Sequence, residues 1–171
     1  MKIEKIQISN FRLLHSFSLD VEDNLSLVIG KNNTGKTSFL ALLNRFLKET
    51  GNTFSIDDFS IQSQENLQKI VEDDKILEDE LFSLSLKLII SYEDHDNLIN
   101  ISDFLLNLSP TENKIILSFK YGLDKENLKR LKSDFKEYNK EFKEKNVLDF
   151  LKHNQIHRTY FKTYKWSAPL A

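Results

Sequence analysis

The chain has no cysteine, four glycines, two prolines and no long apolar run among its 171 residues. Without cysteine it has neither disulfide bonds nor thiolate metal sites, which suits a reducing compartment. So few glycines and prolines argue against a collagen-like or linker-rich chain. A membrane-spanning helix needs about 20 consecutive apolar residues, and the N-terminal residues contain no apolar signal core. These absences predict a soluble, cytoplasmic protein with no membrane partner.

Apolar residues are plentiful enough for a core, because 40% of the chain is hydrophobic and 13 residues are Phe. The net charge of -2 is unevenly distributed. Residues 1–50 carry +2 (7 basic, 5 acidic), residues 51–112 carry -11 (3 and 14), and residues 113–171 carry +7 (14 and 7). A basic stretch of this kind is most often a solvated helix face, so charge alone does not predict nucleic-acid binding.

The spacing of apolar residues predicts both strands and helices. The predicted strands cover residues 2–8, 14–21, 25–29, 81–92, 113–121 and 159–166. The predicted helices cover residues 37–48, 98–108 and 125–152, and residues 64–80 form either a short helix or a surface excursion. The run at 25–29 is short and almost entirely apolar, which is typical of a strand buried on both faces.

One motif in the chain has a defined chemistry. Residues 30–37 read Gly-Lys-Asn-Asn-Thr-Gly-Lys-Thr and match the P-loop pattern G-x-x-x-x-G-K-[ST] at every fixed position. A P-loop wraps round a phosphate with its backbone N–H groups pointing inward, and Gly30 and Gly35 have no Cβ to obstruct that path. The predicted order of strand, loop and helix is the context that the motif requires. The sequence therefore predicts nucleotide binding.

The side chains of the motif predict ATP and Mg²⁺ as cofactors. Lys36 brings positive charge to the β- and γ-phosphates, and the Thr37 hydroxyl is a hard oxygen ligand for Mg²⁺. The helix that starts near Lys36 adds its N-terminal dipole, and Ser38 is a weaker candidate for the α-phosphate. The cofactor-binding residues predicted in this segment are Gly30, Asn32, Asn33, Thr34, Gly35, Lys36, Thr37 and Ser38. A P-loop alone supplies no general base, so no catalytic residue is predicted.

The first sixty residues resemble a known group of ATPases. A strand, Asn10-Phe11-Arg12, a second strand and a P-loop ending in Lys-Thr-Ser resemble the ABC-type ATPase heads of the RecF and SMC group. With Asp57-Asp58-Phe59 after the P-loop helix, the segment most resembles the OLD family (overcoming lysogenization defect) of ATP-dependent endonucleases. The resemblance implies an α/β P-loop NTPase fold, an ABC-type head lobe with a mixed sheet and an appended charged helix.

The resemblance also implies roles for individual residues. Arg12 is expected near the nucleotide, with a surface arginine on a hairpin as the equally weighted alternative. A glutamine that senses Mg²⁺ and the attacking water is expected in such heads, and the candidates by position are Gln62, Gln64 and Gln68, each more often a plain surface residue. Asp57 and Asp58 either cap the following segment or face the site, and capping is favoured.

The groups needed for hydrolysis and nuclease activity are not found in the sequence. It has no Leu-Ser-Gly-Gly-like segment, no apolar run ending in Asp-Glu, and no acidic cluster of the Toprim nuclease type. We therefore expect an N-terminal ATPase lobe at 1–123 and a charged helical extension at 124–171 that leads to a missing or separate C-terminal half. A homo-oligomer or a second chain would complete the ATPase site.

Three functions fit these observations. The leading hypothesis is ATP binding within an OLD-like ATP-dependent DNA endonuclease, in phage defence or DNA repair. The alternatives are a nucleotide-dependent assembly module and an SMC-like DNA-tethering ATPase, in which residues 124–152 begin a coiled coil. His153 and His157 are four residues apart, as some metal ligands are, but without a third ligand they are more simply two ordinary histidines.

Overall fold

The computed structural model describes residues 1–23, 26, 28–29, 31–32, 34–47, 54–72, 82–93, 95–97, 113–141 and 146–169. The strands are β1 (Lys2–Phe11), β2 (Leu14–Asp20), β3 (Ser83–Ser91), β4 (Lys114–Gly122) and β5 (Lys162–Pro169). The helices are α1 (Lys36–Leu47), α2 (Ile61–Glu72), α3 (Lys125–Glu141), α4 (Val147–Lys152) and α5 (His157–Tyr160), with 3-10 turns at Ile56–Asp58 and His153–Gln155. The helix predicted at 98–108 lies outside the described residues.

The strands form one sheet in the order β2-β1-β3-β4-β5, and all four pairings are antiparallel. Alternate residues of β3 are buried, as a sheet with one covered face requires, whereas in β4 Ser118 and Gly122 are buried in addition to the apolar alternates. The prediction of a mixed sheet is therefore wrong for the described strands. Two parallel neighbours would need a long crossover connection, whereas in this sheet every described strand runs opposite to the strands beside it.

The prediction of a buried strand at 25–29 is wrong for Val28 and Ile29. Val28 and Ile29 are in no strand, and they are 42% and 80% exposed. An apolar run becomes a strand only where a neighbour pairs with its backbone groups. Neither residue pairs with the described sheet, of which β2 forms one edge. Leu25 and Leu27 lie outside the described residues.

Helix α1 covers one face of the sheet, as its apolar stripe predicts. Phe39, Leu42 and Phe46 are buried along this helix. The ring of Phe39 lies 5.7 Å from that of Phe17 on β2, and the ring of Phe46 lies 5.7 Å from that of Phe119 on β4. These contacts hold the start of α1, and with it the P-loop, against the sheet.

The other helices pack together beside one end of the sheet, where Phe59, Phe82 and Phe161 form a ring cluster. The single helix predicted for 125–152 is divided, because α3 ends at Glu141 and α4 begins after Asn146, whose side chain accepts the Asp149 N–H at 2.9 Å. The apolar stripe of α3, which had suggested a coiled coil, packs inside the domain. Residues 125–169 share this core and sheet with the preceding chain.

Candidate nucleotide-binding site

The P-loop motif ends at the start of α1. The Phe39 N–H donates to the Gly35 carbonyl at 2.8 Å, which makes this the first helical hydrogen bond. The N–H groups that precede it have no acceptor within the helix, so they can point at an anion. The first turn of α1 has no acidic residue and its last turn contains Arg45. Arg45 agrees with the helix dipole, and the lack of an acidic side chain leaves the positive N-terminal end available to an external anion.

Gly35 is the point at which the P-loop meets the β1–β2 hairpin. Its φ is +94°, a conformation that side chains with a Cβ rarely adopt. A Cβ at this position would also lie 2.9 Å from the Leu14 Cδ2 and 3.9 Å from the Leu13 Cβ. The motif glycine is therefore required both by its backbone conformation and by the close approach of the hairpin turn.

The lysine and threonine of the loop converge on one carbonyl group. The Lys36 Nζ donates to the Lys31 carbonyl at 2.6 Å, and the Thr34 Oγ1 donates to the same oxygen at 2.9 Å. Lys36 is partly exposed, and Thr37 is exposed at the first turn of α1. Residues 24–48 include four basic side chains and no acidic one. Of these, Lys31 and Lys36 belong to the loop itself, and basic side chains there suit binding of a polyphosphate.

The remaining predicted residues of the motif differ in their surroundings. Asn32 and Thr34 are exposed, whereas Ser38 is buried. Gly30 and Asn33 lie outside the described residues. The structure thus brings the second half of the motif, from Thr34 to Ser38, to the start of α1 and onto the hairpin turn.

Arg12 lies in that hairpin turn, where a buried carboxylate holds its side chain. Its Nε and Nη2 donate to the Asp58 Oδ1 at 3.0 and 2.8 Å, and Arg45 of α1 donates to the other oxygen. The Asp58 side chain is only 3% exposed and also accepts the Ser55 N–H at 2.8 Å. Asp58 therefore links the hairpin, α1 and the turn that contains it.

The protonation of Asp58 reflects these contacts. Burial by itself would raise the pKa of the carboxyl group. The hydrogen bonds from Ser55, Arg45 and Arg12 outweigh burial and lower the pKa below its ordinary value of 3.8. Asp58 is therefore ionised at neutral pH, and its side chain caps the start of the turn Ile56–Asp58 that contains it. The favoured prediction that this residue caps the following segment is wrong, because the carboxylate accepts the Ser55 N–H at the start of its own turn.

The backbone of the hairpin turn is held in an unusual conformation. Asn10 and Arg12 have φ values of 62° and 48°. The Arg12 N–H donates to the Asp58 carbonyl at 2.9 Å, and the Asn10 Nδ2 donates to the Ser83 carbonyl at 2.9 Å. Backbone in this region is costly for residues with a Cβ and persists only where the surroundings hold it. Leu14, two residues after Arg12, approaches Gly35 most closely, and Leu13 lies beside it.

A polar cavity of about 420 Å³ lies between the hairpin, α2 and the start of β3. It is lined by Asn10, His15, Gln62, Ser63, Asn66, Ile70, Phe82 and Ser83. Gln62 is the candidate sensor glutamine that faces this space. The Gln64 Nε2 donates to the Phe59 carbonyl at 2.8 Å, and the Gln68 Nε2 donates to Glu72 at 3.2 Å.

Sequence reasoning missed a hydroxyl pair beside this cavity. The Oγ atoms of Ser60 and Ser63 are 2.8 Å apart, and the Ser60 Oγ lies 3.4 Å from the His15 Nδ1. Both serines are buried. The only local signal is their spacing of three residues, with Ser60 just before α2 and Ser63 in its first turn, because His15 reaches them from a distant part of the sequence.

Comparison with known proteins identifies the family. The model of a family described as "AAA ATPase domain" matches residues 1–169. The chain belongs to this family. An AAA ATPase domain implies nucleotide binding, usually with Mg²⁺, and the P-loop is where the phosphates would lie.

A second comparison links the domain to a repair protein. The chain is 48% identical over 40 residues to the DNA replication and repair protein RecF of Chlorobium phaeovibrioides (strain DSM 265 / 1930). The match covers 23% of this chain and 11% of the length of that relative. Together the comparisons support a RecF-like ATPase.

The buried histidine of this AAA ATPase domain, His157, contacts two backbone carbonyls. The His157 ring is buried, with its Nδ1 3.2 Å from the Leu151 carbonyl and its Nε2 2.9 Å from the Phe54 carbonyl. Within the described ranges, no group of three or more His, Asp or Glu side chains is placed to hold a metal ion. Over the same ranges, no helix combines the length and apolar character needed to cross a membrane.

Proposed function

We propose that this domain binds ATP with Mg²⁺ through residues 30–38, as part of a larger ATPase that acts on DNA. The observation that carries the proposal is the junction at Gly35. Here the P-loop backbone meets the hairpin turn at the start of α1, and the Lys36 ammonium contacts the Lys31 carbonyl within the same loop. This arrangement places N–H donors and a lysine ammonium at the start of one helix, which is what a polyphosphate requires.

Each side chain has a defined part in the proposed complex. The Lys36 Nζ leaves the Lys31 carbonyl and pairs with the β- and γ-phosphates. The exposed Thr37 hydroxyl supplies one oxygen ligand to Mg²⁺. Mg²⁺ prefers six oxygen ligands and keeps several waters, so the phosphates and water supply the others. Arg12 takes part by holding the hairpin turn under Gly35 while its guanidinium stays on Asp58.

For the whole protein we propose an OLD-like, ATP-dependent DNA endonuclease built on an ABC-type head. The support is Asn10-Phe11-Arg12 before the P-loop, Asp57-Asp58-Phe59 after it, and the similarity to a DNA replication and repair protein. In this proposal the groups for hydrolysis and DNA cleavage come from further residues or from a second subunit.

A second candidate function is nucleotide-dependent assembly with another copy or chain. Exposed apolar side chains near the P-loop favour it, since contiguous apolar surface often marks an interaction site. Leu13 is 59% exposed, Leu40 of α1 is 64% exposed, and Ile29 is 80% exposed.

The substitution Lys36→Ala tests nucleotide binding. It removes the charge that would contact the phosphates, so affinity for Mg²⁺-ATP should fall by roughly tenfold to hundredfold. Binding of a fluorescent ATP analogue measures the change. Lys69→Ala, at an exposed position of α2, is the control and should leave the affinity unaltered. Equal affinity of the Lys36→Ala variant and the parent chain would refute the proposal.

A further inference from the structure

The sheet has a second face, directed away from α1, that we call the outer face. Because side chains alternate along a strand, the residues between the buried positions point to this side. Cross-strand register aligns Lys87, Ser118 and Trp166 in one row, and Ser85, Lys120 and Tyr164 in the next. On β1 and β2 both rows continue with serine and glutamine only. These two rows are therefore polar, with two lysines and two aromatic rings. Ser118 between them is buried, and the adjacent row of the same face is apolar at Ile89, Ile116 and Ala168.

The lysines of these two rows have no acidic partner within the rows, and the acidic group beside them is Asp124, which accepts the Tyr164 hydroxyl at the β5 side. Lys87 and Lys120 form no ion pair among the described residues, and neither row contains an acidic side chain. By contrast, Lys5 in the adjacent row pairs with Asp20 at 3.0 Å. Burial also lowers the pKa of Lys120, so a nearby anion would offset the cost of burying its charge.

The aromatic rings lie beside the lysines. Trp166 is 45% exposed on the edge strand β5, and Tyr164 is half-buried two residues before it. The Tyr164 hydroxyl donates to Asp124 at 2.9 Å, which fixes the orientation of that ring. Residues two apart on a strand are roughly 7 Å from one another, so both rings are available along one side of the sheet.

We propose that the outer face binds single-stranded nucleic acid, with Trp166 stacking on a base and Lys87 and Lys120 contacting phosphates. An open sheet face with aromatic and basic side chains suits single strands, whose bases are free to stack and whose backbone is anionic. A duplex hides its base faces from Trp166. A protein partner fits less well, because lysine is depleted at the centres of protein interfaces.

Trp166 reports on the proposed site directly, because it is the single tryptophan of the chain. A 20-nucleotide oligothymidylate should quench its fluorescence in a saturable manner, and added salt should weaken the binding. The double substitution Lys87→Glu and Lys120→Glu should lower the affinity at least tenfold. Circular dichroism and thermal melting of each variant verify that the fold is retained.

The matched control reverses two charges away from the outer face, Lys69→Glu on α2 and Lys165→Glu on the opposite side of β5. It should leave the affinity for the oligonucleotide within about twofold, since each lost phosphate contact mainly changes the salt-dependent term. Lys36→Ala should also bind the oligonucleotide normally, which separates this inference from ATP binding. Absence of quenching, equal losses in the control, or equal quenching by a duplex of the same length would each overturn the proposal.

Discussion

Lys36 and Arg12 are the basic residues on either side of the contact between the P-loop and the hairpin, and their surroundings differ. Lys36 donates to a backbone carbonyl of an exposed loop. Arg12 donates twice to a buried carboxylate that Arg45 also contacts. A charge held by a carbonyl is transferred to a phosphate at low cost, whereas a charge neutralised by a buried carboxylate is not. The comparison indicates that Lys36 contacts the ligand and that Arg12 stabilises the fold beneath the P-loop. We call the ion pairs of Asp58 with Arg12 and Arg45 the frame.

The largest expected effect comes from removing the frame. Asp58→Ala eliminates a buried acceptor of several charge-assisted hydrogen bonds, and we expect the free energy of unfolding to fall by about 3 kcal/mol. Chemical denaturation measures the loss. The neighbouring Asp57→Ala is the control, because Asp57 is exposed and pairs with Lys152 at the surface, and its effect should stay under about 1 kcal/mol. Equal effects of the two substitutions would contradict the distinction.

An intermediate effect is expected where the frame meets the loop. Gly35→Ala introduces a Cβ at a φ of +94° and close to Leu14. The backbone conformation should cost about 1–2 kcal/mol, and ATP affinity should fall as the loop shifts. Thermal melting and nucleotide titration measure the two consequences separately. A variant that melts like the parent chain would show that the loop is not held by the hairpin.

The smallest expected effect is on the free energy of unfolding at acidic pH. The folded pKa of Asp58 is lowered, so its contribution is complete above its unfolded pKa, near 3.8, and is lost as pH falls through the folded value. Unfolding free energy should therefore decrease with falling pH below about 4 by more in the parent chain than in Asp58→Asn. Denaturation at a series of pH values compares the two slopes. Parallel slopes would mean that Asp58 is not ionised in the folded protein.

Much of the candidate site could be predicted from the sequence, because a P-loop is a local motif. The P-loop residues are adjacent in the chain, and α1 follows them with a regular apolar stripe, so the helix predicted at 37–48 is confirmed as Lys36–Leu47. The strands predicted from alternation at 81–92 and 113–121 are likewise confirmed, as Ser83–Ser91 and Lys114–Gly122. The family match and the RecF similarity confirm the coarser prediction of a RecF-like ATPase.

Other features could not be predicted, since they depend on which neighbour a segment meets. Val28 and Ile29 have the composition of a buried strand and yet are exposed. Asp58 and Arg12 are 46 residues apart, and their ion pair exists only because the turn at 56–58 docks on the hairpin.

The sequence by itself determined the P-loop chemistry, the helix that presents it and the alternation that separates the two faces of the sheet. These follow from residue type and short-range spacing, which act over one or two turns of chain. Only the tertiary structure decided that Gly35 rests on the β1–β2 turn and that Asp58 accepts hydrogen bonds from both Arg12 and Arg45. It also aligned Lys87 and Lys120 with Trp166 and Tyr164, because cross-strand register is set by long-range backbone pairing.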